Sequence, residues 1–196
     1  MTPDGKYALS ASLDHTVKVW ELATGQEQRT LKGHSDWVTG VAVTPDGKYV
    51  LSASLDQTVK VWELATGQKQ RTLEGHSDWV TGVAVTPDGK YVLSVSRDQT
   101  VKVWELATGQ KQRTLKGHSD WVTGVAVTPD GKYVLSTSLD ETVKVWELIT
   151  GREITSFFGE GAFLNCAIAP DGRTVIAGDS GGQLYFLRLE GLEFSQ

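Results

Sequence analysis

Cysteine is nearly absent from these 196 residues, methionine occurs once and proline five times. The lone thiol, Cys166, excludes an internal disulfide and fits a reducing compartment, so the expected location is the cytoplasm. No apolar run reaches the ~18 residues that a membrane-spanning helix needs, and the N-terminal stretch lacks a charged region followed by an apolar one. A membrane is therefore not an expected partner. Charge of one sign is scarce too: 19 Lys and Arg stand against 24 Asp and Glu, a net of −5, with the signs interspersed. Neutralising a phosphate backbone needs a concentrated positive field, so nucleic acid is not expected either.

What the chain has in abundance is itself. Thr2, Thr44, Thr86 and Thr128 begin successive copies of one unit at a spacing of 42 residues. Residues 44–85 and 86–127 differ only at Ala53/Val95, Leu55/Arg97 and Glu74/Lys116. The unit predicts four short strands. Val80 to Val85 alternates, and Thr86-Pro87-Asp88-Gly89 supplies a hairpin turn. Tyr91 to Ser96 follows, and after a turn at Asp98, Thr100 to Leu106 is expected to set β-branched and aromatic residues on one face and Lys and Glu on the other. Gln110 to Leu115, the most polar strand, suits an outer edge.

Gly75-His76, Asp98 and Trp104-Glu105 fall where the WD-repeat β-propellers place their Gly-His, turn-Asp and Trp-Asp signatures. The chain resembles that family over residues 2 to 188, with Trp-Glu replacing Trp-Asp in each full copy. The resemblance implies an all-β propeller of four-stranded antiparallel blades, about four and a half of them here. The whole, 1–196, reads as one partial propeller with repeats 2–43, 44–85, 86–127 and 128–168 and a degenerate partial repeat, 169–190. Met1 stands where Val43 stands in the next copy, so the chain opens inside a unit. The expectation is the C-terminal portion of a longer propeller, with missing N-terminal blades and an effector domain upstream, as in highly repetitive bacterial members.

His34, Ser52, Asp56 and Trp62 recur as His76, Ser94, Asp98 and Trp104, and as His118, Ser136, Asp140 and Trp146. Repetition in each unit argues against a Ser-His-Asp nucleophile, which an enzyme needs once. In the family resembled, these side chains form a structural hydrogen-bonded network. The spacing leaves open whether Ser52 or Ser54 supplies the hydroxyl. The last unit has Glu160, Ala177, Gly181 and Leu187 at these positions. It reads as a degenerate cap without the network, and placing Asp at Gly181 is expected to change little. Gly178-Asp179-Ser180-Gly181-Gly182 matches the nucleophile segment of chymotrypsin-like proteases over five residues, but it sits at a strand-to-strand turn where Gly is expected.

The function expected is a non-enzymatic scaffold for protein partners of unknown identity, part of a larger signalling protein, with no cofactor and no metal. Alternatives are a purely structural self-assembling module and, remotely, a serine hydrolase built on Ser180. Trp37, Trp79 and Trp121 lie three residues after the Gly-His histidine. They share strand parity with Thr39, Thr81 and Thr123, which the resemblance assigns to partner contact together with the residue before the turn Asp. That residue is Leu13, Leu55, Arg97 and Leu139 in turn, giving an aromatic rim with a variable insert. An open arc of eighteen strands is also expected to associate with itself.

Overall fold

The computed structural model describes residues 1–192. Among them every regular element is a strand, and the strands form five antiparallel sheets. β1 (Tyr7–Ala11), β2 (Thr16–Glu21) and β3 (Glu27–Lys32) make the first. β4 (Val38–Val43), β5 (Tyr49–Ser54), β6 (Val59–Glu63) and β7 (Lys69–Leu73) make the second. The third holds β8 (Val80–Val85), β9 (Tyr91–Ser96), β10 (Thr100–Glu105) and β11 (Lys111–Lys116). The fourth holds β12 (Val122–Val127), β13 (Tyr133–Ser138), β14 (Thr142–Glu147) and β15 (Glu153–Phe158). β16 (Phe163–Ile168), β17 (Thr174–Asp179) and β18 (Leu184–Arg188) complete the set. Strands thus run in chain order across each sheet, and the four-stranded pattern read from the unit is present. The outer strand begins at Lys111 because the Gln110 carbonyl is taken by the Glu105 N–H in the preceding turn, at 2.9 Å.

Period-two alternation explains why sheets stack. On one side of the second sheet, Val50 and Trp62 pack with Val17, Val19 and Leu31 of the first. On its other side, Leu51, Ala53, Val59 and Val61 pack with Val92 and Trp104 of the third. The same pairing of a Leu-and-Val face with a Val-and-Trp face recurs between the third and fourth sheets. At the fifth sheet Phe163, Tyr185 and Leu187 take the place of the tryptophan. Phe157, Phe163 and Tyr185 meet edge-on or tilted there, with ring centroids 5.1 to 6.3 Å apart.

The innermost strands pack side by side, β4 on β8, β8 on β12 and β12 on β16. Glycine allows that approach. A Cβ on Gly124 would stand 2.7 Å from Thr137 Oγ1 and 3.2 Å from the Asn165 Cα. Among the described residues, one face at each end of the stack has no neighbouring sheet of its own. At the far end it shows Ile176, Leu184 and Phe186, the last two 66% and 71% exposed. At the near end Trp20 lies half-buried on the face opposite the one that meets the second sheet.

Candidate functional site

The repeated polar set converges within each four-stranded sheet. His76 enters on the loop before β8, Ser94 sits on β9, Asp98 on the following turn and Trp104 on β10. His76 Nε2 lies 2.7 Å from Ser94 Oγ and its Nδ1 lies 2.7 Å from Asp98 Oδ2. Trp104 Nε1–H donates to Ser94 Oγ at 2.8 Å. His34, Ser52, Asp56 and Trp62 repeat this geometry, as do His118, Ser136, Asp140 and Trp146. A carboxylate only accepts, so Nδ1 carries a proton, and in the neutral ring Nε2 accepts from the serine hydroxyl. The chain of donors runs indole, serine, imidazole, carboxylate.

The choice between the two serines is resolved by their partners. Ser54 Oγ donates instead to the Asp36 carbonyl at 3.1 Å and accepts the Asp56 N–H. Sequence reasoning missed two further members. Thr100 donates to Asp98 Oδ1 at 2.6 Å, and the buried Lys102 Nζ lies 3.5 Å from Asp98 Oδ2; Thr58 and Lys60 do the same for Asp56. In the fourth sheet the lysine is diverted, Lys144 Nζ meeting Glu153 Oε1 at 2.9 Å. Lys102 shares its face of β10 with the buried Trp104, and Glu105 shares the other with Val101 and Val103, so the expected division of this strand into an apolar face and a face of Lys and Glu does not hold.

Burial works against the Asp56 and Asp98 carboxyls, but hydrogen bonds from histidine, threonine and a backbone N–H outweigh it and hold both far below the usual carboxylate range. Burial pulls the His76 and His118 imidazoles below 6.5 in spite of the adjacent carboxylate. These sets have triad connectivity, yet Ser52, Ser94 and Ser136 are fully buried and already accept an indole N–H. A substrate carbonyl has no path to them.

The last sheet replaces the network rather than lacking it. Asp179, buried at the place of Ser54, accepts the N–H groups of Gly181 and Gln183 at 2.9 and 2.8 Å. Tyr185 Oη donates to Asp179 Oδ2 at 3.0 Å and accepts the Glu160 N–H. The sequence hid this because the carboxylate moved two positions along the strand. Ser180 lies exposed on the β17–β18 turn with its N–H given to the Ala162 carbonyl, while three of the four histidines are held inside the second to fourth sheets. Cys166 packs partly buried against the same sheet, and burial pushes its thiol up to about 12. His15 occupies the turn after Asp14 with φ +69°, as Gln57 and Gln99 do in their copies. Among the described residues no three His, Cys, Asp or Glu side chains gather in a way that could hold a metal ion.

One loop edge of the stack presents the tryptophans. Trp37, Trp79 and Trp121 each have their N–H bonded at 2.7 Å to the preceding carboxylate, Asp36, Asp78 or Asp120. Their carbonyls accept the N–H of Leu55, Arg97 and Leu139, each at 2.9 Å. Trp37 and Trp121 are 46% and 37% exposed, Trp79 is half-buried, and Leu55 is buried in the row. Leu13, at the equivalent place of the first sheet, is exposed. The threonines do something else. Thr39 Oγ1 donates to the Val80 carbonyl and Thr123 Oγ1 to the Phe163 carbonyl, both at 2.7 Å, and Thr81 bonds Val122 in the same way. Their hydroxyls therefore tie one innermost strand to the next.

The WD domain, G-beta repeat family matches residues 1–21, 25–63, 67–105 and 109–147, most of the chain. The chain belongs to the WD-repeat family. Its five sheets are the blades of a WD-repeat propeller. Among curated proteins it is similar to "Nuclear distribution protein PAC1-2" of Postia placenta (strain ATCC 44394 / Madison 698-R), 49% identical over 37 residues. That match covers 19% of this chain and 9% of the relative. WD repeats generally serve as protein-interaction scaffolds, and among the described residues no helix is long and apolar enough to cross a membrane.

Proposed function

We propose that this chain is a non-enzymatic scaffold whose partner proteins dock on the rim formed by Trp37, Leu55, Trp79, Arg97, Trp121 and Leu139. The observation that supports this best is the exposure of Trp37 and Trp121 on loops pinned by backbone hydrogen bonds. Large aromatic area held rigid in the unbound state lowers the ordering cost of binding, and Trp and Arg dominate interface energetics. Partner capture from a lysate of the source organism is expected to fall at least tenfold in a Trp37→Ala/Trp121→Ala variant whose unfolding midpoint is unchanged. Equal capture would overturn the reading.

A setting within a larger signalling protein belongs to the same proposal. In-frame coding sequence upstream tests it. Cytoplasmic residence is supported by the single free Cys166. A second reading, self-association, is favoured by the bare faces at the two ends of the stack. It rests on their chemistry, Ile176, Leu184 and Phe186 at one end and Trp20 at the other. Sedimentation as a monomer at all concentrations would remove it.

A further inference from the structure

Arg97 is the one cation in the rim. Its guanidinium carbon lies 3.7 Å from the ring centroid of Trp79 and 3.4 Å from that of Trp121, so indoles from two successive blades cover both faces. Its own N–H holds the Trp79 carbonyl at 2.9 Å, which fixes the backbone from which the side chain reaches into the slot. Among the described residues the guanidinium has no hydrogen bond and no ion pair. The neighbouring carboxylates Asp78 and Asp120 are turned to the tryptophan N–H groups.

A guanidinium keeps all its donors in its plane. Sealing both faces leaves the in-plane edge as its only means of satisfaction and holds that edge in one orientation. The complementary group is flat, anionic and bears two acceptors side by side, which describes a carboxylate. A tetrahedral phosphate projects oxygens out of that plane toward the electron-rich indole faces. On either side of the slot the row turns apolar, with the Leu55 N–H bonded to the Trp37 carbonyl and the Leu139 N–H to that of Trp121. We propose that Trp79, Arg97 and Trp121 form a carboxylate-recognition slot for a partner segment that carries a glutamate or aspartate between apolar residues. The proposal rests on the reading of the rim as the partner surface and names what one position of it selects.

The chain supplies its own control, since Leu55 holds the same place one blade earlier and shows that the fold accepts leucine there. The probes are two synthetic peptides, acetyl-Leu-Ala-Glu-Ala-Leu-amide and its Gln counterpart, titrated into the whole chain by calorimetry. The Glu peptide is expected to bind at least tenfold more tightly, with a preference that weakens as salt is raised. Arg97→Leu is expected to abolish the preference without lowering the unfolding midpoint by more than a few degrees, and Arg97→Lys to recover only part of it. Leu55→Arg is expected to add a second site of the same preference. Equal affinity for the two peptides, a preference that survives in Arg97→Leu, or tighter binding of a phosphoserine counterpart would each overturn the slot. If neither peptide binds while partner capture still depends on Trp37 and Trp121, the slot fails and the rim stands; capture independent of those tryptophans removes the rim alone.

Discussion

Asp98 collects hydrogen bonds from His76, the Ser77 N–H and both the N–H and hydroxyl of Thr100. Asp98→Ala leaves the buried His76 Nδ1–H without its acceptor, at about 1–3 kcal/mol. The unfolding midpoint is expected to fall by roughly 2–12 °C, on the scale of 2–4 °C per kcal/mol for a chain of this size. An unchanged midpoint would show the network to be energetically idle. The same residues set a pH dependence. Asp98 is depressed in the fold, so its stabilisation is complete above the ordinary 3.8 and fades as pH falls below it. His76 is depressed too, so it favours the fold fully above 6.5 and loses that contribution as pH falls below it. Both act in one direction: stability is expected to be level above pH 7, to decline below 6.5 and to steepen below 4. A midpoint that rose on acidification from 7 to 5 would contradict this. His, Asp and Trp were legible as members because they recur at fixed spacing. Ser52 and Ser54 were not separable, since residues two apart on a strand share a face and only the positions of Trp62 and Asp36 tell them apart.

The last blade is where reading by position misled. Aligned on the unit, Gly181 marks the missing aspartate, which made Asp at that site look harmless. In the folded blade a Cβ on Gly181 would lie 3.3 Å from Asp179 Oδ1, so Gly181→Asp adds a second carboxylate beside the one already satisfied by Tyr185 and two N–H groups. Gly181→Asp is now expected to destabilise, with the loss largest above pH 5 where both carboxyls are ionised. Asp179→Ala is expected to cost about 1–3 kcal/mol. Chemical denaturation of the two variants at pH 4.5 and 7.5 distinguishes charge repulsion, which shrinks in acid, from steric strain, which does not. Strand order and blade membership were legible throughout, because alternation, turn residues and the repeat all agree. The inter-blade bonds of Thr39, Thr81 and Thr123 were not, since their acceptors lie about one full repeat away in the chain and only the packing of innermost strands reveals them.

At the scale of the molecule, every interlayer joins a Leu-and-Val face to a Val-and-Trp face, or to its Phe and Tyr substitute, and one of each is left over. Such surfaces fit head to tail, an arrangement that closes into a ring or runs on as a filament. Burying side chains like Leu184 and Phe186 is worth about 1.5–3 kcal/mol each. Light scattering is therefore expected to show concentration-dependent association that Leu184→Lys/Phe186→Lys suppresses without lowering the unfolding midpoint. Association untouched by the double change would place the contact elsewhere. The rim position held by Leu55 in one blade and Arg97 in the next stands apart from these layers: in the third blade the arginine lies across the tryptophans of the loop edge. A leucine codon of the CUN set becomes an arginine codon, CGN, by a single base change. A lineage carrying this chain can therefore rewrite what the rim prefers one blade at a time, by point mutation, leaving the packing between blades as it was.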